Sequence, residues 1–410
     1  MAKEYHYHYH IYNSPGSSDV SRPEDLPVEI ITGPAGNPPV YPAAGNPPVY
    51  HPTYPAAGNP AVYPAAGNLP VYPPLYPAAG RELGKTVTGK RPLTLKGAIR
   101  QNANIVCGVF LIAIFIEYAS AIFPGIVYEF FFSANQYVQF RHMLEQAANI
   151  FSYSIASTVA LFLMKSWLKI PARAAFPMRW KGFSVTIPAV FVCLGVMMVG
   201  SYASGFIATA LEGLFGVAPA PADFPLPVGA PATVLYVISV VLLPSVLEEL
   251  IFRGAVLQSL RRYGDGFALV ASSALFALMH SNWLSFIPTF LFGLAIGFFV
   301  MRTGSILTGI LIHMANNGLY VINNMLTNGG GEELSFLVNA AASVLYLTSG
   351  VIGALYLLMR RPGMFRLAQP PPGVTLGKGK KHLIFFTSVA SVVFIVMCFG
   401  LAALSEMASA

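Results

Sequence analysis

Residues 233–260 read TVLYVISVVLLPSVLEELIFRGAVLQSL. Up to Leu247 the run is uncharged and mostly aliphatic. At 1.5 Å per helical residue it is long enough to cross the roughly 30 Å of a bilayer's hydrocarbon. Its second half holds Glu248, Glu249 and Arg253, charges that a membrane helix carries only at a cost and only when they are paired or put to use. A soluble core helix needs neither the length nor the apolar first half. The stretch reads as a membrane-crossing helix with chemistry inside it.

The rest of the chain agrees. Of 410 residues, 55% are hydrophobic and 10% charged, against about 25% charged in a soluble domain. Apolar blocks from Ala103 onward give nine expected spans. They are Ala103–Phe123, Ala147–Leu163, Val185–Leu211, Thr233–Leu260, Phe267–His280, Phe286–Met301, Ser305–Leu326, Leu337–Met359 and His382–Leu404. The expected fold is all-α, a polytopic membrane bundle of about eight to nine transmembrane helices. Basic residues cluster before the first span, between the second and third, and after the fourth, sixth and eighth, while Glu212–Ala232 and Thr327–Phe336 hold acids without Lys or Arg. That alternation places the N-terminus in the cytoplasm of a multi-pass protein, with the plasma membrane the expected site. The net charge of +7 sits beside apolar spans, which suits lipid head groups and argues against nucleic acid. Cys107, Cys193 and Cys398 all fall inside apolar blocks and read as small buried hydrophobes.

Residues 1–95 form a separate region in which a Pro-Ala-Ala-Gly-Asn-Pro-Pro-Val-Tyr-like unit recurs, as at Pro42–Tyr50, Pro55–Tyr63 and Pro64–Tyr72. Proline density favours extended, unpaired backbone, so a disordered Pro/Tyr-rich tail with no identifiable partner is expected. The transmembrane helical domain then spans residues 96–410. No apolar segment resembling a cleavable signal opens the chain.

Within the fourth span, Glu249 and Arg253 are four residues apart on one helical face, acid first, and are expected to form a supporting ion pair. Glu248 points about 100° away and is free to act as a base. The fifth span closes on His280, and the seventh places His313 and Asn317 one turn apart. Counted from the charged ends, Glu248, His280 and His313 lie ~16–20 Å into the membrane, and Asn317 one turn deeper. They are therefore expected to line one cavity formed by spans four, five and seven. Hydrolysis fits this set. Glu248 takes a proton from water held jointly with His280, and His313 and Asn317 donate to the oxyanion. Glu117, in the first span, reads as an isolated packing or lumen-facing acid.

Three motifs in this stretch resemble the CAAX prenyl protease and bacteriocin-processing family, which includes the Ras-converting enzyme. They are Glu-Glu-x-x-Phe-Arg at Glu248–Arg253, Phe-x-x-x-His at Phe276–His280 and His-x-x-x-Asn at His313–Asn317. Gly293–Gly297 and Arg302-Thr303-Gly304-Ser305 are also family-like, so the resemblance covers the catalytic core 244–324. It implies an intramembrane endopeptidase acting on a peptide or lipidated protein. In it Glu248 is the base, His280 the water holder, His313 and Asn317 the oxyanion hole, and Glu249 and Arg253 supporting residues. No cofactor is expected. The alternatives are a zinc protease with Glu248, His280 and His313 as ligands, and a non-catalytic scaffold or bacteriocin self-immunity protein.

Overall fold

The computed structural model describes residues 94–409 apart from 123–124, 127–129, 131–133, 217–218, 220–224 and 366–375. The Pro/Tyr-rich tail expected over residues 1–95 lies outside the described residues, save Thr94 and Leu95.

Every described element is helical. Nine helices carry the architecture: α1 (Leu95–Ala121), α2 (Ala134–Trp167), α3 (Phe183–Phe215), α4 (Ala230–Tyr263), α5 (Asp265–Met279), α6 (Trp283–Thr303), α7 (Ile306–Thr327), α8 (Gly331–Arg360) and α9 (Val389–Ser409). Each expected span overlaps one of them. Among the described residues, seven are long and apolar enough to cross a membrane by length and composition; α5 and α7 are the others. α5 has only 15 residues, and α7 interrupts its apolar run with His313, Asn316, Asn317, Asn323 and Asn324. The last expected span, His382–Leu404, is divided. A short helix, Lys378–Phe386, ends at Thr387, and α9 begins at Val389.

Two features set the packing around the site. Between membrane helices there is little hydrophobic drive, so close association needs small residues. α3 meets α8 where a Cβ on Gly195 would stand 2.9 Å from the Gly350 Cα, and one on Gly353 would stand 2.7 Å from the Pro188 carbonyl. The chain then turns tightly between α6 and α7, where Gly304 adopts a left-handed φ of 59° that a β-carbon would resist.

Two basic residues at helix ends, Arg261 and Lys381, are tied into the protein. Buried Arg261 donates to both carboxylate oxygens of Asp265, at 2.8 and 3.2 Å. Lys381 donates to the Tyr263 carbonyl at 2.7 Å, and the Tyr263 hydroxyl donates to the Ala98 carbonyl at 3.1 Å. Burial pushes the Lys381 ammonium below its ordinary pKa. These contacts pin α1, α4 and the short Lys378–Phe386 helix together at one end of the bundle.

Candidate active site

α4 is not a uniform helix. Residues Ile238–Leu242 and Glu249–Val256 run as π-turns, with the Leu243 N–H reaching the Ile238 carbonyl and the Leu257 N–H reaching that of Phe252. Such widened turns insert a residue into a helix and re-aim those that follow, and they concentrate at functional positions. Pro244 lies between the two segments and has no N–H to return to the carbonyl four residues back, that of Val240. Asn317 of α7 donates to this carbonyl at 2.9 Å. Inside a membrane a freed carbonyl needs such a partner.

Glu249 is fully buried and serves two neighbours through one oxygen. Its Oε1 accepts from Arg253 Nη1 at 2.8 Å and lies 3.0 Å from His313 Nδ1. A carboxylate paired with a guanidinium only accepts, so His313 Nδ1 carries a proton. The edges of Phe276 and Phe292 contact the His313 ring, at centroid separations of 5.8 and 5.9 Å. Arg253 in turn lies 4.2 Å over the Phe276 ring and donates to the Gly293 carbonyl at 3.4 Å. Gly309 lets α7 come this close: a Cβ there would sit 2.7 Å from Glu249 Oε2.

Glu248 leaves α4 in a different direction from Glu249 and meets the opposite edge of the His313 ring. Tyr153 of α2 donates to its Oε1 at 2.8 Å. Its Oε2 is buried, has no hydrogen-bond partner among the described residues, and stands 4.0 Å from His313 Nε2. His280 caps α5, and its Nδ1 meets the Phe276 carbonyl at 2.9 Å. A carbonyl cannot donate, so the proton is on Nδ1 and the Nε2 lone pair is available.

Glu248 and His280 line one cavity, together with Glu117, Tyr153, Ser157 and an otherwise apolar wall. Residues 230–319 match the type II CAAX prenyl endopeptidase Rce1-like family. No curated protein and no solved structure was found to match the chain. The matched segment covers α4 through most of α7 and contains all six residues singled out from the sequence. The family is one of membrane proteases, so an Rce1-like domain on a chain with seven apolar helices supports a multi-pass membrane peptidase.

The cavity differs from the expected one in its walls. Spans four, five and seven were expected to enclose it; α1, α2, α4 and α5 do so. His313 abuts Glu248 but is not part of the cavity lining, and neither is Asn317, which is committed to Val240. Two cavity residues escaped the sequence reading. Tyr153 gave no signal, being one aromatic in a long apolar block. Glu117 did give one, an acid within a span, and its reading as isolated fails because it shares the cavity with Glu248. Among the described residues, no three His, Cys, Asp or Glu side chains converge as metal ligands would.

Proposed function

We propose that this protein is an intramembrane endopeptidase, hydrolysing a peptide bond near the membrane in the manner of CAAX processing. The observation that carries the proposal is the unpartnered Glu248 Oε2. It is buried, faces His313 Nε2 across 4.0 Å, and belongs to a carboxylate whose cavity also holds His280. A buried carboxylate oxygen without a donor is costly, and Glu249 Oε2 shares that state; what sets Glu248 apart is that its side chain lines the cavity beside His280, where a bound water can supply the missing donor.

In this reading the nucleophilic water sits against Glu248, which takes its proton, and the His280 Nε2 lone pair holds its second hydrogen. Tyr153 fixes one carboxylate oxygen so that the other is presented. Glu249 orients His313, and donation to an oxyanion requires a second proton on Nε2, giving an imidazolium between two carboxylates. Asn317 can join only with the N–H that Val240 does not use, so His313 carries more of the oxyanion role than Asn317. The mechanism needs no cofactor. The substrate is a peptide or a lipidated protein reaching the cavity from the bilayer, and the N-terminus faces the cytoplasm at the plasma membrane.

The test is cleavage of a farnesylated peptide by the purified protein in lipid nanodiscs, with and without a zinc chelator. Cleavage that survives chelation and vanishes in Glu248→Gln supports the proposal. Loss on chelation with recovery on zinc addition would instead support Glu248, His280 and His313 as ligands. Full cellular function of Glu248→Gln would favour a binding scaffold.

A further inference from the structure

The hydrolytic reading accounts for the proton that water gives up, but not for the one that the leaving amine needs. A peptide nitrogen departs poorly as an anion and is normally protonated as the C–N bond breaks. The cavity holds a second carboxyl. Glu117 of α1 lines it with Glu248, His280 and Tyr153, and it makes no side-chain hydrogen bond or ion pair among the described residues.

The titratable groups that line the cavity with Glu117 are Glu248 from α4, Tyr153 from α2 and His280 from α5, with His313 of α7 4.0 Å from Glu248. Among the described residues no lysine or arginine lines the cavity; Arg253 of α4 acts electrostatically on Glu248 but is hydrogen-bonded to Glu249. Tyr153 directs its single proton to Glu248, and the His280 Nδ1 proton is directed to the Phe276 carbonyl. Apart from the Ser157 hydroxyl the rest of the lining is apolar, with Phe110, Ala113, Ile251 and Phe252 among it. Two carboxylates that line one largely apolar cavity repel each other when both are ionised.

We propose that Glu117 is a catalytic residue of this site, the general acid that protonates the leaving amine. Resting on the peptidase reading above, the sequence of events balances as follows. Water adds its oxygen to the carbonyl carbon and its proton passes to Glu248. The C–N bond then breaks as Glu117 transfers its proton to nitrogen, releasing an amine and a carboxylic acid. The proton on Glu248 returns to Glu117, and the pair again holds one. Glu117 belongs to α1, which lies outside the matched residues 230–319.

Two measurements on the full chain in nanodiscs test this. The first does not depend on turnover: infrared difference spectra following the protonated-carboxyl band against pH, in wild type, Glu117→Gln and Glu248→Gln. The proposal expects a band at neutral pH whose midpoint of disappearance falls when either glutamate is replaced, because the remaining carboxyl loses its like-charged neighbour. An unchanged midpoint in Glu248→Gln overturns it. The second is the kcat–pH profile on a farnesylated fluorogenic peptide. Glu117→Gln should lower kcat by about a hundredfold, leave KM nearly unchanged and remove the alkaline limb, with partial recovery in Glu117→Asp. Wild-type kcat and an unaltered profile in a folded Glu117→Gln would also overturn it, because Glu248 would then return the proton itself. If wild type cleaves no prenylated peptide, the peptidase reading falls, and the spectra alone decide whether the two carboxyls share a proton.

Discussion

Glu248 and Glu249 are neighbours in sequence and opposites in environment. Glu249 Oε1 serves a guanidinium and an imidazole away from the cavity, while Glu248 accepts only from Tyr153 and lines the cavity; the Oε2 of each has no donor among the described residues. Replacing Glu248 by Gln keeps the size and one acceptor, so Tyr153 retains its partner, but removes the base. Turnover should vanish while the thermal midpoint stays near that of wild type. Replacing Glu249 by Gln leaves Arg253 buried beside a neutral amide and weakens the hold on His313. Stability should fall by about 1–3 kcal/mol, with reduced but measurable activity. Thermal unfolding and peptide cleavage on both variants check this. A dead but fully stable Glu249→Gln would reverse the two roles. Helix geometry alone made the split between these glutamates legible, because an acid four residues before an arginine faces it. The hydrogen bond from Tyr153 was not legible. It joins positions 95 residues apart, and periodicity does not say which helix faces which.

At the scale of elements, α4 departs from regular geometry and α7 compensates. Asn317 donates to the carbonyl that Pro244 leaves without its usual N–H. If that is its main role, Asn317→Ala should cost about 1 kcal/mol of stability, and clearly less in a Pro244→Ala background, where the helix regains a donor. A double-mutant cycle of unfolding free energies reads the coupling. Additive effects, together with a roughly hundredfold kcat loss in both backgrounds, would make Asn317 an oxyanion donor instead. Gly309 supplies a second check. A methyl there collides with Glu249 Oε2, 2.7 Å away, and with Val300, so Gly309→Ala should destabilise by about 1–3 kcal/mol. A Gly309→Ala protein as stable as wild type would mean that α7 can move off Glu249 without cost. All nine helices were legible as apolar blocks, to within a few residues at most ends. The π-turns were not, since a widened turn is a response to packing and to Pro244 and leaves no periodic trace of its own.

On the scale of the whole molecule, the family-like segment holds the six residues singled out from the sequence, and helices outside it contribute walls of the cavity. α1 contributes Glu117, Phe110 and Ala113 to the cavity, and α2 contributes Tyr153, Ala156, Ser157 and Ala160. A fragment limited to residues 230–319 should therefore be inactive, whereas deletion of the Pro/Tyr-rich residues 1–93 should leave peptidase activity in the remaining membrane domain. Loss of activity on that deletion would mean that the tail takes part in catalysis. The central claim is that Glu248 activates water for peptide-bond hydrolysis inside the bilayer. The most direct measurement compares wild type with Glu248→Gln, both purified in nanodiscs with matching thermal midpoints, for mass-spectrometric release of the C-terminal peptide from a farnesylated substrate in 18O-labelled water. The account predicts release by wild type with one 18O in the new carboxylate, and none by Glu248→Gln. Release by Glu248→Gln at the wild-type rate would contradict it.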